Sequence, residues 1–244
     1  MLFVVALVLL WELKARRSSR PNPVLPAPTR IWQAFVDTAH LLPNHLSATL
    51  TETAVGVAIG VSSGLVLAVV VSSWAIARRV LQPLLVASQT VPVQVLGPVL
   101  VLWFGFGLAP KIIVVALVVF FPVAVATAAG LQGVDPELIE LVQSFGASRN
   151  ILLRMVMIPA ALPGLFAGLR ISLTYAVAAA VIGESIGATR GLGLYIARSQ
   201  RAFRYDQLFV GVIVVVLLSV TLFSLVSILA RVCCPWLPTE RDRA

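Results

Sequence analysis

The stretch DPELIELVQSFGASRNILLRMVMIPAALP, residues 135–163, decides how this chain is read. It is a polar, mixed-charge interruption between two long apolar runs, and it carries its own punctuation. Asp135-Pro136-Glu137 makes a good helix start: Asp as N-cap, Pro at the first helical position, and an acid near the positive end of the helix dipole. Leu138, Ile139, Leu141, Val142 and Phe145 give a short helix an apolar face, and Gly146 is placed to end it. Ser148 with its basic neighbours opens a second short segment, and Pro159 is expected to stop it. A helix with both ends specified reads as a rigid lever presented to a partner; a plain connection would need only a short turn.

Working outward, the solvent of the flanking runs is set by composition. With 244 residues, 59% hydrophobic and 11% charged, and a mean hydropathy of +1.01, the chain suits lipid on its outer surface rather than water. Crossing a hydrocarbon core takes roughly 20 apolar residues per helix. Leu50–Ala77, Pro83–Gly105, Ile112–Leu131, Leu165–Gly187 and Leu208–Ala230 qualify, the second broken by Pro92 and Pro98. Met1–Leu13 is about a dozen residues and short for a span. It lacks the basic leader and small-residue cleavage site of a secretory signal, so it is read as a sixth helix. No soluble block is long enough to bury a separate core, so residues 1–244 are expected to form one transmembrane domain.

Between the first two helices, residues 14–49 form an extramembrane segment. Pro21, Pro23, Pro26 and Pro28 force extended backbone, and TRIWQAFVDTAHLL then spaces Ile31, Trp32, Phe35 and Val36 as on an amphipathic surface helix. Gly56, Gly60 and Gly64 stand four apart on one helix face, where missing side chains let another helix approach. Cys233 and Cys234 are adjacent, a poor geometry for a disulfide. His40 and His45 have no acidic or thiol company and make a weak metal site. No nucleophile, base and orienter stand together, so catalysis within this chain is not expected. Its lysines are Lys14 and Lys111, and neither follows the Gly-rich phosphate loop, so ATP must be bound by another polypeptide. The net charge of +8 is read as solvated loop charge and not as a nucleic-acid surface.

Glu140, Gly146 six positions later, and Val156-Met157-Ile158-Pro159 resemble the cytoplasmic signature of binding-protein-dependent ABC importer permeases, Glu-Ala-Ala, Gly and Ile-x-Leu-Pro. Leu141-Val142 replaces the two alanines and Ile158 the leucine, apolar for apolar. AALPGLFAGLRISLTYAVAAAVIGE, LPAPTRIWQAF, PVLVLWFGFGLAPKIIVVALVVFFPVAVATAAGL, the Gly191–Gly193 triplet and Asp206 extend the likeness over most of the chain. It is similar to the nitrate, sulfonate and taurine type, including relatives that import riboflavin or thiamine-pyrimidine precursors.

The resemblance implies an all-α polytopic protein of the type I importer permease fold, with about six transmembrane helices, five core and one short. It implies a bacterial inner-membrane location, cytoplasmic termini, an external segment at 14–49 and a cytoplasmic coupling loop at 132–163. Its partners would be a cytoplasmic ATPase dimer carrying ATP and Mg, a second and identical permease, and an external or periplasmic binding protein; nucleic acid is not among them, and this chain would hold no cofactor or metal. Glu140, Leu141, Gly146, Ala147, Ser148 and Pro159 would engage the ATPase. Basic residues on the opposite side outnumber those on the loop's side, so the positive-inside rule opposes this orientation, and the more specific loop signature outweighs it.

Gln89 and Gln94 on the Pro-broken helix, with Phe120, Phe121 and Glu184, are the candidates for a translocation path, because polar groups at membrane depth face other helices or a cavity. Glu184, an acid deep in an apolar run, could pair with a loop arginine such as Arg190, act in gating or receive the binding protein, and pairing is the first expectation. A self-contained secondary carrier is the alternative. It would use intramembrane charges and repeated halves, and the sequence shows no repeat.

Overall fold

A computed structural model describes residues 2–17, 23–88, 90 and 92–236. Among them the regular structure is helical: α1 (Leu2–Arg16), α2 (Pro28–Thr38), α3 (Leu42–Ser73), α4 (Ala75–Ser88), α5 (Val93–Phe104), α6 (Leu108–Gln132), α7 (Pro136–Ser144), α8 (Arg149–Leu152), α9 (Ile158–Ser185), α10 (Leu192–Arg201) and α11 (Tyr205–Cys233). Four rods are long and apolar enough to cross a membrane: α3, α6, the continuous helix from Asn150 to Ser185 that contains α9, and α11.

The directions of α3, α6 and α9 follow from their glycines. Gly56 faces Val115, Gly60 faces Ala116 and Val119, and Gly64 faces Phe120 and Val123, so α3 and α6 run parallel. Gly164 faces Ala126, Gly168 faces Pro122 and Gly183 faces Lys111, so α9 returns antiparallel. Because α3 and α6 run the same way, the chain between them must recross the layer, and α4 with α5 makes that return. The expected span at Pro83–Gly105 is therefore two shorter helices, with Pro92 as the N-cap of α5 and Pro98 inside it. At 15 residues and 1.5 Å per residue, α1 is about 22 Å long, short of a full hydrocarbon core. Its Trp11 packs on Phe209 of α11, ring centroids 6.3 Å apart.

Three differences from the sequence reading have local causes. α3 begins at Leu42 rather than near residue 50, because Pro43 occupies its first turn, where a missing N–H costs nothing. The surface helix forms as α2 and is anchored on one face: Ile31 and Ala34 are buried with Tyr195 and Val210, whereas Trp32 and Val36 are exposed. Pro159 does not stop its helix. Residues Leu153–Met157 form a π turn in which the Ile158 N–H bonds the Leu153 carbonyl, five residues back. The wider turn absorbs the hydrogen bond that Pro159 cannot make, and the helix runs on into α9.

The core lies along α6. Val114, Val115, Val119 and Val123 meet Leu173, Ala176, Ala179 and Ala180 of α9, while Val57, Val61 and Leu65 of α3 close the other side. At Gly60 an added Cβ would stand 2.6 Å from the Ala116 carbonyl oxygen, a backbone atom that cannot swing away. Lipid tails are as apolar as leucine, so this close packing is what holds the helices together. Gly60→Val is expected to destabilise the detergent-solubilised protein by about 1–3 kcal/mol, read as a lower thermal midpoint. Gly107→Ala, at an extended residue with open space around its Cβ position, is expected to leave the midpoint unchanged.

Candidate functional site: two ends of the bundle

The α3–α6–α9 bundle has two chemically different ends. At one, α7 projects from the bundle. Asp135 caps it, Oδ1 accepting the Glu137 N–H at 2.9 Å, and Pro136 is its first residue. At the other terminus the Gly146 N–H bonds the Gln143 carbonyl at 2.9 Å, and Gly146 adopts φ +77°. That left-handed conformation is available to glycine and strained for other residues. Between these stops no residue of α7 is buried. Leu138, Leu141 and Phe145 recur at helical spacing, and Phe145 is 82% exposed. Glu140 and Ser148 are exposed, Ala147 is half-buried, and Pro159 is the second residue of α9. Glu140, Leu141, Gly146, Ala147 and Ser148 thus lie on or just after the projecting helix, whereas Pro159 lies in the bundle rod that follows.

The other end, where α3 and α6 start and α9 finishes, is closed by a buried polar cluster that sequence reading largely missed. The triplet Gly191-Leu192-Gly193 opens α10, and Gly191 has no side chain with which to cap it. Neighbouring helices supply the caps. The Gly191 N–H donates to Nδ1 of His45 at 3.1 Å, the Leu192 N–H to Oγ1 of Thr49 at 2.9 Å, and the Gly193 N–H to Oε2 of Glu184 at 2.5 Å. Thr49 then donates its own hydroxyl proton to Oε1 of Glu184 at 2.5 Å. A carboxylate at a helix N-terminus answers the dipole as well as the orphan amides. The glycines are required by contact: a Cβ on Gly191, at φ +129°, would stand 2.5 Å or less from both Glu184 oxygens.

Beside Glu184 a buried ion pair joins Lys111 of α6 to Glu52 of α3, Nζ to Oε1 at 2.8 Å. Glu52 is fully buried and its Oε2 has no hydrogen-bond partner. Glu184 therefore does not pair with Arg190, as its position in an apolar run implied. Its partners are Thr49 and the α10 amides. Glu52 is as deeply buried as Glu184. Further out on α10, Tyr195 meets the Thr38 hydroxyl at 3.0 Å, and burial pushes its phenol above the usual tyrosine range.

Between the two ends, an apolar cavity of about 610 Å³ opens among α4, α5, α6 and α9, lined by Ser88, Pro92, Leu96, Phe121, Tyr175 and Ile182 among others. Of the expected path residues, Phe121 lies on it. Phe120 stacks edge-on against Phe121, centroids 4.9 Å apart, and packs toward Ala68, Val71 and Leu85. Glu184 belongs to the polar cluster and not to this lining. Gln89 lies outside the described residues, as does the side chain of Gln94. No group of three or more metal-ligating side chains occurs among the described residues.

Fold and site define a multi-pass α-helical membrane protein with a projecting helix at one end and a polar closure at the other. The chain belongs to the family of binding-protein-dependent transport system inner membrane components, whose pattern matches residues 56–237, and this makes it an ABC transporter permease subunit. It is 35% identical over 223 residues, 91% of each chain, to the "Probable ABC transporter permease protein" of Haemophilus influenzae. It is 35% identical over 236 residues, 96% of this chain and 94% of the other, to the formylaminopyrimidine transport permease protein ThiX of Halalkalibacterium halodurans. The riboflavin transport system permease protein RibX of Chloroflexus aurantiacus is 34% identical, over 96% of this chain and 88% of that one. In fold it is similar to an inward-facing MetNI methionine ABC transporter chain, with a TM-score of 0.70 at 22% identity over 81% of this chain and 98% of that one.

Removing one member of the closure leaves a buried partner exposed to its full desolvation cost. Lys111→Met is expected to cost about 3–5 kcal/mol through an unpaired Glu52, and the double change Lys111→Met with Glu52→Leu to recover most of it. Thermal midpoints of the purified variants check this; equal midpoints for single and double variants would contradict it.

Proposed function

We propose that this chain is the permease of an ATP-driven importer in a bacterial inner membrane, working with separate ATPase subunits, a second identical permease and an external binding protein. The observation that carries the reading is α7. A helix stopped at both ends by its own residues, with an apolar face and none of its residues buried, is a docking element awaiting a partner. With α7 cytoplasmic, the parallel run of α3, α6 and α11 leaves the polar closure outside, and this reading takes both termini as cytoplasmic. Residues 14–49, apart from the start of α3, are the external segment, and 132–163 the coupling loop of a single transmembrane domain.

Mechanically, nucleotide binds outside the bilayer, so the permease needs a stiff link and two packings of similar free energy, one open to each side. The short path from α7 through α8 and the π turn into α9 supplies the link. α9 ends at Glu184, inside the outer closure, so one rod touches both ends. Phe121 and the apolar cavity are the translocation path of this reading. The cargo of this reading is a small solute, a sulfonate- or nitrate-like anion or a riboflavin or pyrimidine-type precursor; relatives are named for formylaminopyrimidine, riboflavin and aliphatic sulfonate transport.

Glu140→Lys and Gly146→Trp are each expected to reduce uptake and co-purification of the ATPase subunit by tenfold or more; the thermal midpoint of the permease stays unchanged in Glu140→Lys, whose exposed side chain lies outside the core, and falls slightly in Gly146→Trp, which strains the left-handed residue that ends α7. Full uptake and full ATPase recovery in both variants would overturn the proposal.

A further inference from the structure

At the end of the bundle away from α7, a pocket of about 330 Å³ opens between the first turns of α3 and α6 and the loop joining α9 to α10. Thr51, Glu52, Phe106, Lys111, Thr189 and Arg190 are among its lining residues. It is separate from the apolar cavity of the path and borders the polar closure, with which it shares Glu52 and Lys111.

Three features favour negative charge there. Lys111 commits one hydrogen of its ammonium to Glu52; the other two have no acceptor among the described residues. Arg190 makes no hydrogen bond or ion pair among the described residues, so a full guanidinium fork is available at the rim. α6 begins beside the pocket at Gly107 with no side-chain cap, so the positive end of a 25-residue helix is unanswered. Of the opposing carboxylates, Glu184 is engaged by Thr49 and Gly193, and Glu52 gives Oε1 to Lys111 while its unpartnered Oε2 is buried away from solvent. Ser47 and Thr51 donate their hydroxyl protons to helix carbonyls, which leaves their oxygens able only to accept, so an anion's oxygens would be met by the cationic groups and the start of α6.

We propose that this pocket is a binding site for the anionic head of a small organic sulfonate or carboxylate, held by Arg190 and the spare hydrogens of Lys111 at the outer mouth. The proposal rests on the importer reading, which makes this end external. It narrows the cargo toward organic anions and away from neutral vitamin precursors. The volume is at the small end of ligand pockets, which fits a compact solute and not a flavin.

The test uses the permease assembled with its ATPase in lipid nanodiscs. Methanesulfonate is titrated against its neutral analogue dimethyl sulfone at constant ionic strength, with binding read by calorimetry and thermal midpoint. Saturable binding of methanesulfonate, none of dimethyl sulfone, and at least tenfold weaker binding in Arg190→Ala are expected. The ligand-free midpoint of that variant should be unchanged, because Arg190 supports nothing internal. No saturable binding, or equal binding in Arg190→Ala, overturns the inference. So does a loss of binding-protein affinity in Arg190→Ala without methanesulfonate binding, which would make the pocket a socket for an acidic side chain of that partner. An assembled complex that takes up cargo with ATP yet ignores methanesulfonate overturns this inference alone; uptake that runs without ATP overturns the importer reading beneath it.

Discussion

The close approach of α6 to α3 on one side and α9 on the other is the constraint on which the rest of this structure depends. A bilayer offers helices no hydrophobic reason to associate, so contact distance and interhelical hydrogen bonds must do so. Gly56, Gly60 and Gly64 present one bare face to α6, and Gly164 and Gly168 present another. Between them α6 is held backbone to backbone, with valines filling the seam. Three helices locked this way move as one body, and a rigid body is what can carry a displacement from one membrane surface to the other.

The ends of that body solve opposite problems. At one, the amides of Gly191, Leu192 and Gly193 each find a side chain from a different helix, so His45, Thr49 and Glu184 tie α3, α9 and α10 together. The polar atoms are inside and nearly all are answered. At the other, α7 satisfies its own termini and leaves its apolar face without cover. Burial cost explains both: a closed polar cluster resists opening, and an open apolar face favours occupation. α9 joins them, running from the π turn that follows α7 and α8 to Glu184 in the closure.

Much of this was legible in the residues. Asp135-Pro136 and Gly146 announce a capped helix because caps are local chemistry, and the three-glycine spacing announces close packing because periodicity is enough to set a face. Other parts were hidden for physical reasons. Pro159 reads as a stop because the relief comes from a π turn, a hydrogen-bond shift that leaves no composition signal. Glu52 and Lys111 are 59 residues apart and meet only through the parallel pairing of α3 with α6, which no local pattern encodes. The partner of Glu184 was misread for the same reason. A capping bond from a distant helix is invisible along the chain, although the Gly-Leu-Gly triplet with no capping side chain before it was a signal that the cap had to come from elsewhere.

The central claim is that α7 is the contact through which an ATPase drives the membrane helices. Site-directed photo-crosslinking in intact membranes tests it most directly, with a photoreactive residue placed at Phe145 on α7 and, separately, at Leu217 on the exposed face of α11. The account predicts an adduct with the ATPase subunit from position 145 and none from position 217. No adduct from 145, or adducts of equal yield from both, would contradict it.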